Sequence, residues 1–277
     1  MLYHVHKLKI RQGVMTAMTE INIAFAATKN WFEFTMTSII SILSNTQDSS
    51  SYHFYIMSSC FTEEDKNNFH KIDKFKKAEY TFIEMDDSEY DKFYKNPLGN
   101  STNYRLKLSS ITNVDKMLYL DSDIIALDDV SELYNIDIND YYIAAVEDKC
   151  SDNMKCRVTR DSDFIFINAG MVLMNLKKFR INNVEEQLFE FLSIKNNGYC
   201  DQDAINAVCY NHIKYLPIKF NIMVGFMNNC SYNKEQYSDA LNNPVLIHFI
   251  QKPWSNSLKT EFTQKWKFYN DLLHTII

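Results

Sequence analysis

The stretch Asp115-Lys116-Met117-Leu118-Tyr119-Leu120-Asp121-Ser122-Asp123 sets an apolar run directly against two aspartates, with Ile124-Ile125 immediately after them. Lys116 to Leu120 has the length and composition of a buried strand, so both carboxylates fall at its C-terminal end. Open α/β sheets place their ligands at that end. Two like charges beside a buried strand need a compensating cation. A hard divalent metal held by carboxylate oxygens and a bound diphosphate meets that need, as magnesium or manganese prefers; a pair of strand-end loop caps is the alternative.

Spacing alone is a weak signal. With 21 aspartates in 277 residues, about 1.6 D-x-D pairs are expected by chance. The chain has three, at 121/123, 161/163 and 201/203. Asp161 and Asp163 follow Arg160 in a polar stretch with no strand leading in, which reads as a solvated loop. Asp201 and Asp203 suit the start of a helix, where carboxylates complement the dipole. Only Asp121 and Asp123 close a strand. An imidazole from His248 would favour manganese over magnesium, although by itself such a histidine is more often a hydrogen-bonded core residue.

The surrounding sequence supplies the rest of an α/β fold. Ile21 to Ala27 is short enough for a buried strand. Thr28, Lys29 and Asn30 follow it, and then Phe32, Met36, Ile39, Ile40 and Leu43 at helical spacing. Tyr52 to Met57 reads as a second strand, Thr62 to Phe75 as a helix with Thr62 and Asp65 at capping-box spacing, and Tyr80 to Ile83 as a third strand. Strands separated by helices imply parallel pairing through crossover connections. Tyr104 to Ile111 is expected to be helical. Tyr141 to Val146 and Phe164 to Leu176 are expected as strands, the latter broken near Ala169-Gly170.

Further on come a helix through Val184, Leu188, Phe191 and Leu192 with Asn183 as N-cap, and a short helix from Asp201 to Cys209. Val245 to Phe249 is a strand that delivers His248, and Leu258, Phe262, Trp266, Tyr269 and Leu273 mark a closing amphipathic helix. No repeat or Pro-, Gly- or Ser-rich linker divides the chain. The expected organisation is an extension over residues 1–20, one continuous α/β domain over 21–255, and a C-terminal helix over 256–277 packed on it.

Composition bounds the function classes. Gly and Pro number only 5 and 4 of 277 residues, which excludes collagen-like and linker-rich architectures. Aromatic residues make up 14%, a supply of rings for packing or stacking. The 29 basic and 35 acidic residues give a net charge of −6, so nothing draws the chain globally to nucleic acid or anionic membrane and any phosphate binding has to be local. No run reaches the ~20 apolar residues of a membrane helix, and the N-terminus lacks the order of a secretory signal. A cytoplasmic location is expected. The six cysteines (60, 150, 156, 200, 209 and 230) contain no C-x-x-C pair, so free thiols are expected.

An apolar strand ending in D-x-D suits two enzyme classes. A haloacid-dehalogenase-type phosphatase would use Asp121 as nucleophile and Asp123 as general acid, but it needs a later Gly-Asp motif, and none of the five glycines precedes an aspartate. A nucleotide-sugar transferase would use both carboxylates to hold a metal on the leaving diphosphate. Five blocks in order favour the latter: Ile23-Ala24-Phe25-Ala26-Ala27 with Asn30; Tyr104-Arg105-Leu106-Lys107-Leu108; Asp115 through Asp123; Phe166-Ile167-Asn168-Ala169-Gly170 through Asn175-Leu176-Lys177-Lys178-Phe179; and Asp201-Gln202-Asp203 with Asn206. His248 to Lys252-Pro253-Trp254 closes the series. Over residues 21 to 255 this pattern resembles glycosyltransferase family 8, the retaining enzymes typified by bacterial lipopolysaccharide galactosyl- and glucosyltransferases and related to glycogenin.

The resemblance implies a GT-A type nucleotide-sugar transferase fold, with a mixed central sheet flanked by helices. It also implies transfer of glucose or galactose from a UDP-sugar to a saccharide, lipid-linked or protein-linked glycan acceptor. Asp121, Asp123 and His248 match the family's metal ligands, normally for Mn2+, with Mg2+ as the substitute. Lys252 matches the lysine on the diphosphate, and Ala26, Thr28 and Asn30 match the uridine loop. Arg105, Asp148, Asn168, Asp201 and Gln202 match positions around the donor sugar, with Gln202 facing the anomeric carbon. Cleavage builds positive charge on the sugar and negative charge on UDP, so a metal and Lys252 on one side and carboxylates on the other lower the barrier electrostatically. Because an amide is a poor nucleophile, same-face attack by the acceptor is favoured over double displacement.

The chain departs from the family at two points. Thr28 and Lys29 stand where an acidic residue is common, and three residues rather than five separate His248 from Lys252, which puts the usual pose of Lys252 in question. A nucleotide-sugar-binding homologue with weak or no transfer is therefore the alternative. The closing helix pairs Phe262, Trp266 and Tyr269 with Lys259, Lys265 and Lys267. That combination suits either packing on the domain or contact with the inner face of a membrane carrying a lipid-linked acceptor.

Overall fold

A computed structural model describes residues 19–46, 50–93, 99–149, 158–159, 163–193, 200–225, 234–255 and 259–277. Most of the expected N-terminal extension, Cys150, Cys156, Arg160, Asp161, Cys230 and Leu258 lie outside these residues.

The chain begins with a parallel βαβ unit: β1 (Thr19–Ala26), α1 (Phe32–Ser44) and β2 (Ser50–Ser58). Then come α2 (Glu63–Lys71) and β3 (Glu79–Glu84). Thr62 and Asp65 form the expected capping box, but the α-helix stops at Lys71 and a 3₁₀ turn over Ile72–Lys74 replaces its last turn. The strand β4 (Lys116–Leu120) lies beside β1, in parallel and with the expected bounds. The main sheet has the order β3-β2-β1-β4-β7-β6-β8, where β6 is Ile143–Glu147, β7 is Ile167–Asn175 and β8 is Ile213–Tyr215.

The pairing is parallel from β3 to β4, but β7 runs antiparallel to both β4 and β6. The sheet is thus mixed, as the family resemblance implies and as the βα alternation alone does not. This reversal brings the first residues of β7 to the edge where β1 and β4 end. A smaller sheet, β5 (Ile124–Ala126), β10 (Leu246–Phe249) and β9 (Ile222–Val224), follows directly from the D-x-D turn.

Two expectations are corrected. Phe164–Leu176 is not split in two at Ala169-Gly170: β7 is one buried strand, Ile167–Asn175, although its pairing with β6 is interrupted there, jumping from Val172 to Ile167. Tyr104–Ile111 is not an ordinary helix but a 3₁₀ segment over Asn100–Lys107, followed by one α turn, α3 (Leu108–Ile111). The three-residue period eclipses residues i and i+3, which aligns Thr102 with Arg105. Asn183 does stand at the expected N-cap position, where its C=O accepts from Gln187 N–H at 3.2 Å, although its φ of 50° lies in the left-handed region that asparagine tolerates better than most residues.

Helices cover both faces of the sheet. One core contains α1 and the small sheet; the other contains α3, α5 (Leu176–Ile181), α6 (Val184–Ser193) and α7 (Asp201–Cys209), the short α4 (Ser131–Tyr134) lying on the first side. After α8 (Lys234–Asn242), the closing α9 (Glu261–His274) packs on α1. Its Phe262, Trp266, Tyr269 and Leu273 are all buried. Of the two alternatives for this aromatic face, packing on the domain is the one observed, and nothing among the described residues supports membrane contact through these rings. No helix among the described residues is long and apolar enough to cross a membrane.

Candidate active site

The D-x-D turn is held from three sides. Asp121 N–H donates to Gly170 O at 2.8 Å, Phe249 N–H donates to Asp123 O at 3.0 Å, and the hydroxyls of Ser122 and Thr35 on α1 pair at 2.8 Å. These contacts lock β4, β7, β10 and α1 around the two aspartates. The ligand atoms of Asp121, Asp123 and His248 all lie within 4.8 Å of one another. His248 Nε2 is 3.3 Å from Asp123 Oδ1 and 4.0 Å from Asp121 Oδ2.

Two features of this trio suit a cation. Asp123 Oδ1 is buried and no donor hydrogen-bonds to it, although His248 Nε2 stands 3.3 Å away. Gly170 leaves open the space where a Cβ would stand 2.3 Å from His248 Cε1 and 2.9 Å from Asp121 Oδ2. Two carboxylates and one imidazole form a mixed O/N donor set appropriate to a divalent metal. Burial alone would raise the Asp123 pKa, but His248 and then Lys252 overcome it and hold the carboxyl well below the usual range.

The trio borders a cleft of about 400 Å³. Arg105, almost fully buried, forms its second centre: Nη2 is 3.0 Å from Asp121 Oδ1 and Nε is 3.1 Å from Asp201 Oδ2. The same guanidinium donates to Thr102 O at 3.0 Å and to Ala169 O, and lies 4.2 Å over the Tyr119 ring. Burial raises the pKa of Asp201 even though Arg105 opposes the shift. Beside it, Gln202 Oε1 accepts from Ala169 N–H at 2.9 Å, which fixes the amide against β7. Cys200, at the N-cap of α7, has a thiol pushed up to about 12 by burial and by Asp201 and Asp203.

Most of the expected residues converge. Ala26, Thr28, Arg105, Asn168, Asp201, Gln202 and Lys252 border the cleft with the metal-competent trio. Lys252 Nζ pairs with Asp123 Oδ2 and also donates to Phe249 O at 3.2 Å. The short segment after His248 therefore still brings this cation to the D-x-D turn. Its mount is aromatic: Trp254 stacks on Phe34 at 3.7 Å between centroids and meets Trp31 and Trp266 edge-on or tilted at 5.5 Å. Asn30 stands apart, exposed in the 3₁₀ turn after β1. Asp148 does not itself border the cleft, but Asn168, which does, donates from Nδ2 to its Oδ2 at 3.3 Å.

Sequence reasoning missed Trp31, Ser101, Thr102 and Gly170, which also border the cleft. The position of Trp31 beside the expected uridine loop was the one local signal among them. A second trio, Glu20, His53 and Glu79, also brings ligand atoms within 4.8 Å, but both glutamates are exposed. Thr81 and Tyr55 already engage the two ring nitrogens of His53. A larger concavity, about 750 Å³, has a mainly apolar floor including Val146, Leu216 and Ala240, and neither trio borders it.

Comparison with known proteins agrees with this arrangement. The chain is 29% identical to a Haemophilus influenzae protein over 73% of its own length, though it spans only 63% of that relative. It is 27% identical to a lipopolysaccharide 1,2-glucosyltransferase of Escherichia coli, over 84% of this chain and 73% of that one. Among solved structures, the galactosyltransferase LgtC in complex with donor and acceptor sugar analogs superposes with a TM-score of 0.81 at 23% identity, covering 93% of this chain and 98% of that one. This likeness is one of fold, the GT-A fold. The family model described as glycosyl transferase family 8 matches residues 22–257, nearly the whole of the described fold and all of its cleft, so this chain belongs to glycosyl transferase family 8.

Proposed function

We propose that the chain is a metal-dependent, retaining hexosyltransferase that moves glucose or galactose from a UDP-sugar to a hydroxyl of a saccharide or glycan. The observation that carries this reading is the convergence of Asp121, Asp123 and His248 around the uncommitted, buried Asp123 Oδ1. These three residues would hold Mn2+, or Mg2+ in its place. When bound, the metal would supply positive charge to the diphosphate leaving group.

The protein's own residues would do the remaining work. Lys252, already beside Asp123, is placed to transfer its charge to a diphosphate that displaces it from the carboxylate. Ala26 and Thr28 at the end of β1 form the wall for the nucleoside. Arg105 pairs with both Asp121 and Asp201 and orients them at the opposite wall. Arg105 holds the Oδ2 of Asp201, and Ala169 N–H holds the amide oxygen of Gln202, itself a poor nucleophile. That commitment supports attack by the acceptor hydroxyl on the face from which UDP departs. Kinship with a lipopolysaccharide glucosyltransferase supports a bacterial surface glycan as acceptor.

The test is UDP release from a panel of UDP-sugars with and without Mn2+, with the product anomer read by NMR. Manganese-dependent turnover of a UDP-hexose with retained configuration, abolished in Asp123→Ala, is expected. Mn2+-dependent UDP binding without turnover of any donor would instead identify a binding homologue. A covalent glycosyl-Asp201 intermediate would refute same-face attack.

A further inference from the structure

Asn221 is fully buried immediately before β9, and neither the D-x-D turn nor the cleft wall includes it. It joins the two halves of the site. Its Oδ1 lies 3.2 Å from His248 Nδ1, and its Nδ2 lies 2.9 Å from Asn168 Oδ1. Asn168 Oδ1 in turn accepts from Gly170 N–H at 3.0 Å, while Asn168 Nδ2 donates to the Asp148 carboxylate.

A backbone N–H can only donate, and the direction of every bond in the chain follows from that. Gly170 N–H requires an acceptor, so the Asn168 atom it meets is the amide oxygen. The Asn221 atom facing that oxygen must be the NH2 group, which leaves the Asn221 oxygen facing His248. The neutral imidazole must then carry its proton on Nδ1 and donate it to Asn221. Its Nε2 lone pair is left toward Asp121 and Asp123. Histidines that bind metals are typically fixed this way, through the nitrogen that does not ligate.

We infer that Asn221 is the positioning residue of the metal site: it sets the tautomer and ring plane of His248 and ties them to Asn168 and Asp148. Ligand alignment and the expected donor-sugar side thus share one hydrogen-bond chain that begins at the Gly170 amide. The inference rests on the proposed metal site for its purpose, but the tautomer it assigns is a property of the metal-free protein.

The experiment compares wild type with Asn221→Leu, which removes both bonds, and with Asn221→Asp. The aspartate keeps an acceptor for His248 but sets a second acceptor against Asn168 Oδ1. Imidazole 1H–15N correlation spectra of metal-free protein at pH 8, assigned through the signal missing in His248→Gln, report the tautomer. Mn2+ titration calorimetry in the presence of UDP reports affinity, and circular dichroism confirms folding. Wild type and Asn221→Asp are expected to show the Nδ1–H form, and Asn221→Leu to lose it together with about 10- to 100-fold in Mn2+ affinity. An Nε2–H tautomer in wild type overturns the inference, as does Asn221→Leu with unchanged tautomer and affinity. If Asn221→Leu does not fold, loss of the Nδ1–H form in Asn221→Asp overturns it equally. A wild-type Nδ1–H tautomer lost in Asn221→Leu, with no Mn2+ binding by any variant, upholds the assigned role of Asn221 and refutes the metal reading alone.

Discussion

Replacing Gly170 by alanine tests the geometry of the metal-competent trio with one methyl group. The new Cβ would stand 2.3 Å from His248 Cε1 and 2.9 Å from His248 Nδ1 and Asp121 Oδ2, against 3.4 Å for ordinary contact. The ring must therefore retreat by about 1.1 Å, five times the ~0.2 Å that metal–ligand distances tolerate. It has no easy exit, since His248 is 4% exposed and bonded to Asn221. Displacement of about 1 Å in a positioned group costs on the order of 10²-fold, so Mn2+ affinity in the presence of UDP should fall by at least roughly that factor, or about 2.7 kcal/mol. Overpacking should cost about 1–3 kcal/mol of stability, a few degrees in Tm per kcal/mol for a domain of this size. Calorimetric Mn2+ titration with thermal melting by circular dichroism separates the two effects. A folded Gly170→Ala protein that binds Mn2+ within threefold of wild type would refute the reasoning.

Three further outcomes are expected. Arg105→Met, which leaves Asp121 and Asp201 without their shared cation, should cost about 3–5 kcal/mol in urea unfolding; an unchanged midpoint would show that the carboxylates are satisfied elsewhere. Trp254→Ala removes the ring that mounts Lys252 on Phe34, Trp31 and Trp266. It should weaken UDP binding while lowering stability by less than the roughly 3–5 kcal/mol of a fully buried tryptophan, and normal values of both would place the anchor elsewhere. Cys200, with its thiol pushed up to about 12, remains protonated until the pH approaches that value. Its thiolate fraction at pH 8 is then only ~10⁻⁴, so mass-spectrometric mapping of iodoacetamide-treated native protein should find Cys200 largely unmodified, and rapid native labelling would contradict this.

The local features of the chain were legible because they depend on neighbours in sequence. The apolar run before Asp121, the Thr62 and Asp65 capping box and the spacing of Phe262, Trp266 and Tyr269 each encode an element through short-range periodicity or hydrogen bonding. The ordered blocks from Ile23 to Trp254 then placed Asp121, Asp123 and His248 in one site, although the last lies 125 residues from the second.

What the sequence left open are contacts whose meaning depends on strand direction and on atoms far apart in the chain. Alternation of strands and helices suggests parallel pairing, whereas β7 is antiparallel, so Asn168 and Gly170 reach the site from the start of their strand rather than from its end. Gly170 looks like a strand break to any local rule; in the fold it is the one residue small enough to face His248 and Asp121. Lys252 bonds Asp123 across a shortened segment because Trp254 is seated on rings from α1 and α9. Asn221 has no sequence signal at all. It matters only because packing removes it from water, and a buried amide must then spend its oxygen and its NH2 group on the partners the fold supplies.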